Sequence, residues 1–189
     1  MDYKKWIWKR KWDIFFALLL GLLLIPSVRI PVVAFVQRMI AFSPSEIAED
    51  KRESLNSYNW ILVDLKGKQT NLSISEGKVV IINSWATWCP PCVAEMPSFQ
   101  KLYNSYKDKV EFYFVASDDP SKVSQFMIKN EYDLPIYFQV NNPPKELESD
   151  LLPTSFVLDK QGKIIIKEVG TKNWDSQDIH DLLDKELAK

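Results

Sequence analysis

Residues 83–95 read Asn83-Ser84-Trp85-Ala86-Thr87-Trp88-Cys89-Pro90-Pro91-Cys92-Val93-Ala94-Glu95 (NSWATWCPPCVAE), and they hold both cysteines of a 189-residue chain. The apolar run Val79–Trp85, beginning VVII, predicts a buried strand leading into the pair. Behind the pair, Met96, Phe99, Leu102, Tyr103 and Tyr106 recur at helical spacing. Cys89 is therefore expected at a helix N-terminus. Unpaired backbone N–H groups and the positive end of the helix dipole stabilise a thiolate there, which lowers the thiol pKa and makes Cys89 the nucleophile. Cys92 comes about one turn later on the same side, deeper, where a resolving thiol belongs. Pro90 and Pro91 stiffen the loop and offer no N–H to the Cys89 sulfur.

Other chemistries are weighed against this. A zinc site normally takes four ligands, and the chain has no third cysteine and only one histidine, His180, in its last helix. A structural disulfide closing so small a loop would constrain the unfolded chain little. A peroxidatic cysteine needs one activated thiol with a hydroxyl to orient peroxide; Thr87 is near, but the second cysteine is too close for that layout. Redox exchange between the two thiols fits best.

Working outward, the rest of the domain reads as strands alternating with helices. Tyr58–Leu65 and Gln69–Ile74 form a hairpin about Lys66-Gly67-Lys68. Val110–Ala116 is a strand, Ser121–Asn130 a helix with Ser121 as N-cap, and Leu134–Val140 a strand. Pro143–Ser149 is a short helix; Thr154–Asp159 and Lys163–Val169 are a second hairpin, and Asp175–Leu187 a closing helix. This order predicts an α/β sheet, part parallel and part antiparallel. A hydrophobic fraction of 46% with 26% charged residues is ordinary for a globular chain. The net charge of -1, with basic residues scattered after the N-terminus, excludes nucleic acid as the expected partner.

The N-terminus is different. Ile14–Ile25 is apolar throughout apart from Gly21. At about 1.5 Å per residue it reaches roughly 18 Å, short of a hydrocarbon core of about 30 Å. Two geometries remain open: a span extended to Val36, with Arg29 snorkelling at the far interface, or a shorter span followed by an interfacial stretch, Val32–Phe42. Lys4, Lys5, Lys9, Arg10 and Lys11 precede the run and orient the N-terminus to the cytoplasm, with Tyr3, Trp6, Trp8 and Trp12 as an aromatic belt. No small-x-small cleavage site follows closely, so an uncleaved anchor is favoured over a signal peptide. The expected organisation is a membrane anchor over residues 1–42, a polar linker over 43–57 and a domain over 58–189.

The segment Asn83–Cys92, with W-C-P-P-C after a strand, resembles the active-site segment of the thioredoxin superfamily. With the anchor and a second match at Leu152-Pro153-Thr154 before SFVLD, the chain more specifically resembles the membrane-anchored TlpA/ResA-type thiol-disulfide oxidoreductases. The resemblance covers roughly Tyr58–Lys189. It implies a thioredoxin-like fold: a central mixed sheet with helices on both sides, an added N-terminal hairpin, and an insert over roughly Ser117–Leu151. It implies a cis peptide at Leu152–Pro153, with Leu152, Pro153 and Thr154 beside the disulfide where a client segment pairs as an added strand. Trp88 would shield Cys89 and contact clients, while Trp85 and Trp174 of GTKNW would pack. Glu95, three residues after Cys92, is linked in that family to proton transfer; physically, a partly buried carboxylate of raised pKa can take the Cys92 proton, against the plainer reading of a surface residue near a helix start. Asn83 stands where cytoplasmic thioredoxins carry a buried aspartate.

The function implied is reduction of extracytoplasmic protein disulfides by a chain held in the inner membrane, its domain in the periplasm or extracytoplasmic space. No cofactor is implied beyond the Cys89–Cys92 disulfide. Implied partners are disulfide-bearing clients, such as apocytochrome c in cytochrome c maturation, a membrane donor of electrons to thiols, and the bilayer. The alternative of a different class is a thioredoxin-fold module that holds a metal or an apoprotein without turnover.

Overall fold

The computed structural model describes residues 10–189. Seven strands form one sheet: β1 (Ile61–Asp64), β2 (Gln69–Asn71), β3 (Val80–Trp85), β4 (Glu111–Ala116), β5 (Ile136–Gln139), β6 (Thr154–Leu158) and β7 (Ile164–Val169). Their spatial order is β2-β1-β5-β4-β3-β6-β7. β3, β4 and β5 run parallel, and the hairpins at both ends add antiparallel strands, so the sheet is mixed as its element order predicts. Together with helices α3 (Pro90–Tyr106), α4 (Pro120–Lys129) and α5 (Gln177–Leu187) it makes a thioredoxin-like fold.

Alternation along β3 divides the core. Ile81 and Trp85 face one side with Met96, Phe99, Val123, Met127, Ile179 and Leu183, from all three helices. Val80 and Ile82 face the other with Trp60, Leu62, Leu72, Tyr113 and Phe156. The expectation of helices on both sides is corrected here. β3-α3-β4 and β4-α4-β5 are successive crossovers advancing the same way, and right-handed crossovers of that kind place their helices on one face. The opposite face is covered by one-turn 3-10 helices at Leu72–Ser75 and Lys145–Leu147, by Ile47 and Leu55 from before the domain, and by Tyr58 at its start.

Residues 43–57, read from sequence as a polar linker, instead run along β7. The Ile47 N–H donates to the Ile165 carbonyl (2.8 Å), the Ile164 N–H to that of Glu53 (2.8 Å) and the Leu55 N–H to that of Gly162 (2.9 Å). The edge of β7 is thereby closed. Two further boundaries move for local reasons. Ile74 leaves the predicted strand because Asn71 caps a 3-10 turn through the Ser73 N–H (3.1 Å). The cap of α4 is Asp119, not Ser121: Pro120 takes the first helical position, and Asp119 accepts from the Ser121 and Lys122 N–H groups.

The segment expected to be a membrane anchor differs from a single span. Helices α1 (Lys11–Leu23) and α2 (Pro26–Met39) meet at 96°, and among the described residues no single helix is long and apolar enough to cross a membrane, though the bent pair passes that test together. The break falls at Ile25, held extended before Pro26. Helix α2 packs against α3 and buries Ala34, while Phe35, Val36, Met39 and Ile40 stay exposed. The expected flanking residues Lys4, Lys5 and Lys9, and Tyr3, Trp6 and Trp8, lie outside the described residues.

Candidate active site

The site lies where β3 hands over to α3. Ala86, Thr87 and Trp88 turn the chain; the Cys89 N–H returns to the Ala86 carbonyl (3.3 Å), and the Thr87 hydroxyl donates to the Asp118 carboxylate. Cys89 is the N-cap of α3, with Pro90 and Pro91 in the first turn, where no N–H is missed. Its sulfur accepts the Cys92 N–H (3.3 Å). Cys89 and Cys92 form a disulfide with Cα atoms 5.3 Å apart. Cys89 is 4% exposed and Cys92 fully buried, so an approaching group meets Cys89 first.

Strand β6 completes the wall. Its first residue, Thr154, is in register with Ser84 of β3, which sets the cis Leu152–Pro153 peptide at the end of the sheet that carries the cysteines. Leu152 packs on the cluster containing both sulfurs. Thr154 turns inward: its hydroxyl donates to the Leu151 carbonyl (2.7 Å) and pairs with Ser149 (2.8 Å), so it shapes the loop. Trp88 projects outward, 57% exposed, while Trp85 is buried.

Glu95 lies on α3, one turn beyond Cys92, and is 1% exposed, deeper than the partly buried position its sequence context predicts. The Lys172 N–H (2.8 Å) and the Trp174 Nε1–H (3.0 Å) both donate to Oε1. Asn83 Nδ2 reaches Oε2 at 3.5 Å and donates to the Ser155 hydroxyl at 2.8 Å. Burial raises the Glu95 pKa from 4.5 to about 8; the hydrogen bonds from Trp174, Lys172 and Asn83 and the Lys172 charge oppose it without cancelling it. A carboxyl group that titrates near neutrality one helical turn from the cysteine pair can exchange protons with its thiols once the disulfide is reduced.

The loop after β7 is the part sequence reading undervalued. It assigns Trp174 to packing, and the indole does stack on Phe99 (4.8 Å, 15°), but it also donates to Glu95. The Thr171 hydroxyl donates to the Pro91 carbonyl (3.2 Å), so the same loop touches the cysteine turn. Among the described residues, no group of three His, Cys, Asp or Glu side chains converges as a metal site.

Residues 41–184 match the Redoxin family. Among relatives, the thiol-disulfide oxidoreductase ResA of Bacillus cereus is 37% identical over 116 residues, 59% of this chain and 66% of that protein. ResA of Geobacillus kaustophilus is 34% identical over 125 residues, 64% of this chain and 70% of that protein. The match to the first of these spans just under two thirds of its length. Of solved structures, a secreted thiol-disulfide isomerase from Corynebacterium glutamicum superposes with a TM-score of 0.56 at 24% identity, covering 76% of this chain and 89% of that one. The exposed lipoprotein thioredoxin of Streptococcus pneumoniae gives 0.54 at 25% identity, covering 66% and 97%.

Proposed function

From a chain that belongs to the Redoxin family, as a TlpA/ResA-like member of the thioredoxin superfamily, we propose a thiol-disulfide oxidoreductase that reduces disulfides in client proteins. The observation that carries this is the Cys89–Cys92 disulfide at the start of α3, with its shallower sulfur at the helix cap and a buried carboxyl of pKa about 8 one turn behind.

In the reduced protein, Cys89 as thiolate attacks one sulfur of a client disulfide. An S–S bond forms between them, and the client's other sulfur leaves as a thiolate. Cys92 then gives its proton to Glu95 and attacks the Cys89 sulfur. The mixed disulfide breaks, the 89–92 disulfide forms, and the second client sulfur leaves. Two electrons have passed to the client, so the disulfide itself serves where another enzyme would carry a redox cofactor. Trp88, Leu152 and Pro153 supply the surface against which the client segment lies, with Thr154 bracing its loop.

The anchor reading supports a location at the cytoplasmic membrane, N-terminus inside and the domain in the periplasm or extracytoplasmic space. A membrane donor then restores the dithiol. Apocytochrome c awaiting haem attachment is the client class proposed, because it must present reduced cysteines.

The deciding experiment is Cys92→Ala in the full chain. The variant is expected to accumulate mixed disulfides with clients through Cys89, dispersed by dithiothreitol. A non-catalytic binding module would trap none, and that result would reject the reading. Direction is read from a redox titration: a potential well below about -200 mV fits a reductant, and one near about -120 mV fits a strong oxidant.

A further inference from the structure

Trp174 lies in the loop between β7 and α5 and is fully buried. A residue that only filled space there would need no polar edge, yet this ring is aimed. It stacks on Phe99 of α3 at 4.8 Å and 15°. Its backbone N–H donates to the Ser98 hydroxyl (3.2 Å), which in turn donates to the Glu95 carbonyl (2.7 Å). With ring and backbone held from two sides, the indole N–H has one direction left, to Glu95 Oε1 at 3.0 Å. The Lys172 N–H donates to the same oxygen at 2.8 Å.

Two donors thus occupy Oε1, while among the described residues Oε2 has only the 3.5 Å contact from Asn83. A doubly hydrogen-bonded carboxylate oxygen is the less basic of the pair, and the two donors also stop the carboxyl group from rotating. We propose that Trp174 is a positioning residue of the thiol exchange, its indole N–H holding Glu95 so that Oε2 is the oxygen that takes the proton of Cys92 and returns it. The inference rests on the reading of Glu95 as the proton acceptor. The step balances: the Cys92 S–H bond breaks, an Oε2–H bond forms, and the sulfur's electron pair becomes the new bond to Cys89. The groups facing Glu95 are Asn83 from β3, Ser155 beyond it on β6, and Lys172 and Trp174 from the loop after β7. Lys172 is the charged one, and its ammonium is paired with Glu168 at 3.0 Å.

Trp174→Phe keeps the stack on Phe99 and removes only the donor. Its test is the pH profile of single-turnover reduction of oxidised glutathione by the full chain, compared with wild type and Glu95→Gln. In wild type the rate rises through the Glu95 titration. Because the lost hydrogen bond favours the ionised carboxylate, Trp174→Phe is expected to move that midpoint upward by about one to two pH units. A merely structural role would lower the rate at every pH and leave the midpoint in place, which would overturn the inference. In ¹⁵N-labelled oxidised wild type the Trp174 indole resonance is expected to follow the same titration and to stop doing so in Glu95→Gln. An indole resonance that does not move with pH overturns the inference even if Trp174→Phe fails to fold. If Glu95→Gln retains the wild-type profile, the proton-acceptor reading itself fails; if it loses the profile while Trp174→Phe does not shift it, only the role of Trp174 fails.

Discussion

Asn83 on β3 and Glu95 on α3 face each other as amide and carboxyl, Nδ2 to Oε2 at 3.5 Å, each only 1% exposed. The buried site thus holds one ionisable oxygen group and one neutral neighbour that can donate to it. Asn83 spends its shorter bond on Ser155 (2.8 Å), and its Oδ1 has no hydrogen-bond partner among the described residues. A second carboxylate in that place would meet a like charge without water between them.

Asn83→Asp is therefore expected to couple two titrations. Two buried carboxyls at this distance cannot both ionise easily, so the later of two macroscopic steps moves above the wild-type value of about 8. Carboxyl ¹³C shifts across pH read this directly. A single step unmoved from wild type would show that the two side chains do not interact.

Glu95 also makes stability depend on pH. Its pKa is raised by folding, from 4.5 to about 8, so the folded state keeps a proton that the unfolded chain has released. The contribution is intact below about 4.5, is lost as pH rises, and is gone above about 8. At roughly 1.4 kcal/mol per pH unit, the whole window is worth on the order of 5 kcal/mol. Glu95→Gln removes this dependence. Urea midpoints of the oxidised protein are expected to converge near pH 4.5 and to favour the variant at pH 9; parallel curves would contradict the burial argument.

The reduced protein should be modified at one thiol. Cys89 caps α3, accepts the Cys92 N–H and keeps 4% exposure, whereas Cys92 is fully buried. Iodoacetamide followed by peptide mapping is expected to label Cys89 first. Equal labelling of both residues would remove the distinction between attacking and resolving thiols.

Gly162, in the turn between β6 and β7, has φ +76, and an added Cβ would collide with the Tyr58 hydroxyl. Gly162→Ala is expected to cost about 1–3 kcal/mol in thermal or urea unfolding, from backbone strain and the clash together. Tyr58→Phe in the same chain should recover part of the loss by removing the hydroxyl; no recovery would assign the whole cost to the backbone.

Much of the site is legible because it is local. Cys89 and Cys92 share one helical turn, the prolines sit where N–H groups are dispensable, and the apolar run before them can only be a buried strand. Periodicity places α3 and its inward face, Met96, Phe99, Leu102 and Tyr106, without any tertiary information. The shifted cap at Asp119 is a local miss of another kind: Pro120 marks the first helical position, and the cap must precede it.

The amino-acid sequence by itself determined the redox pair, its polarity along the helix and the α/β order of the domain, because these depend on neighbours in the chain. Only the tertiary structure decided what Glu95 is. Its donors arrive from 77 and 79 residues away, and its pKa comes from exclusion of water by elements that no local pattern relates. The same holds for the helices gathered on one face and for residues 43–57 closing the edge of β7. Burial and desolvation belong to the assembled fold, whereas spacing and propensity belong to the chain.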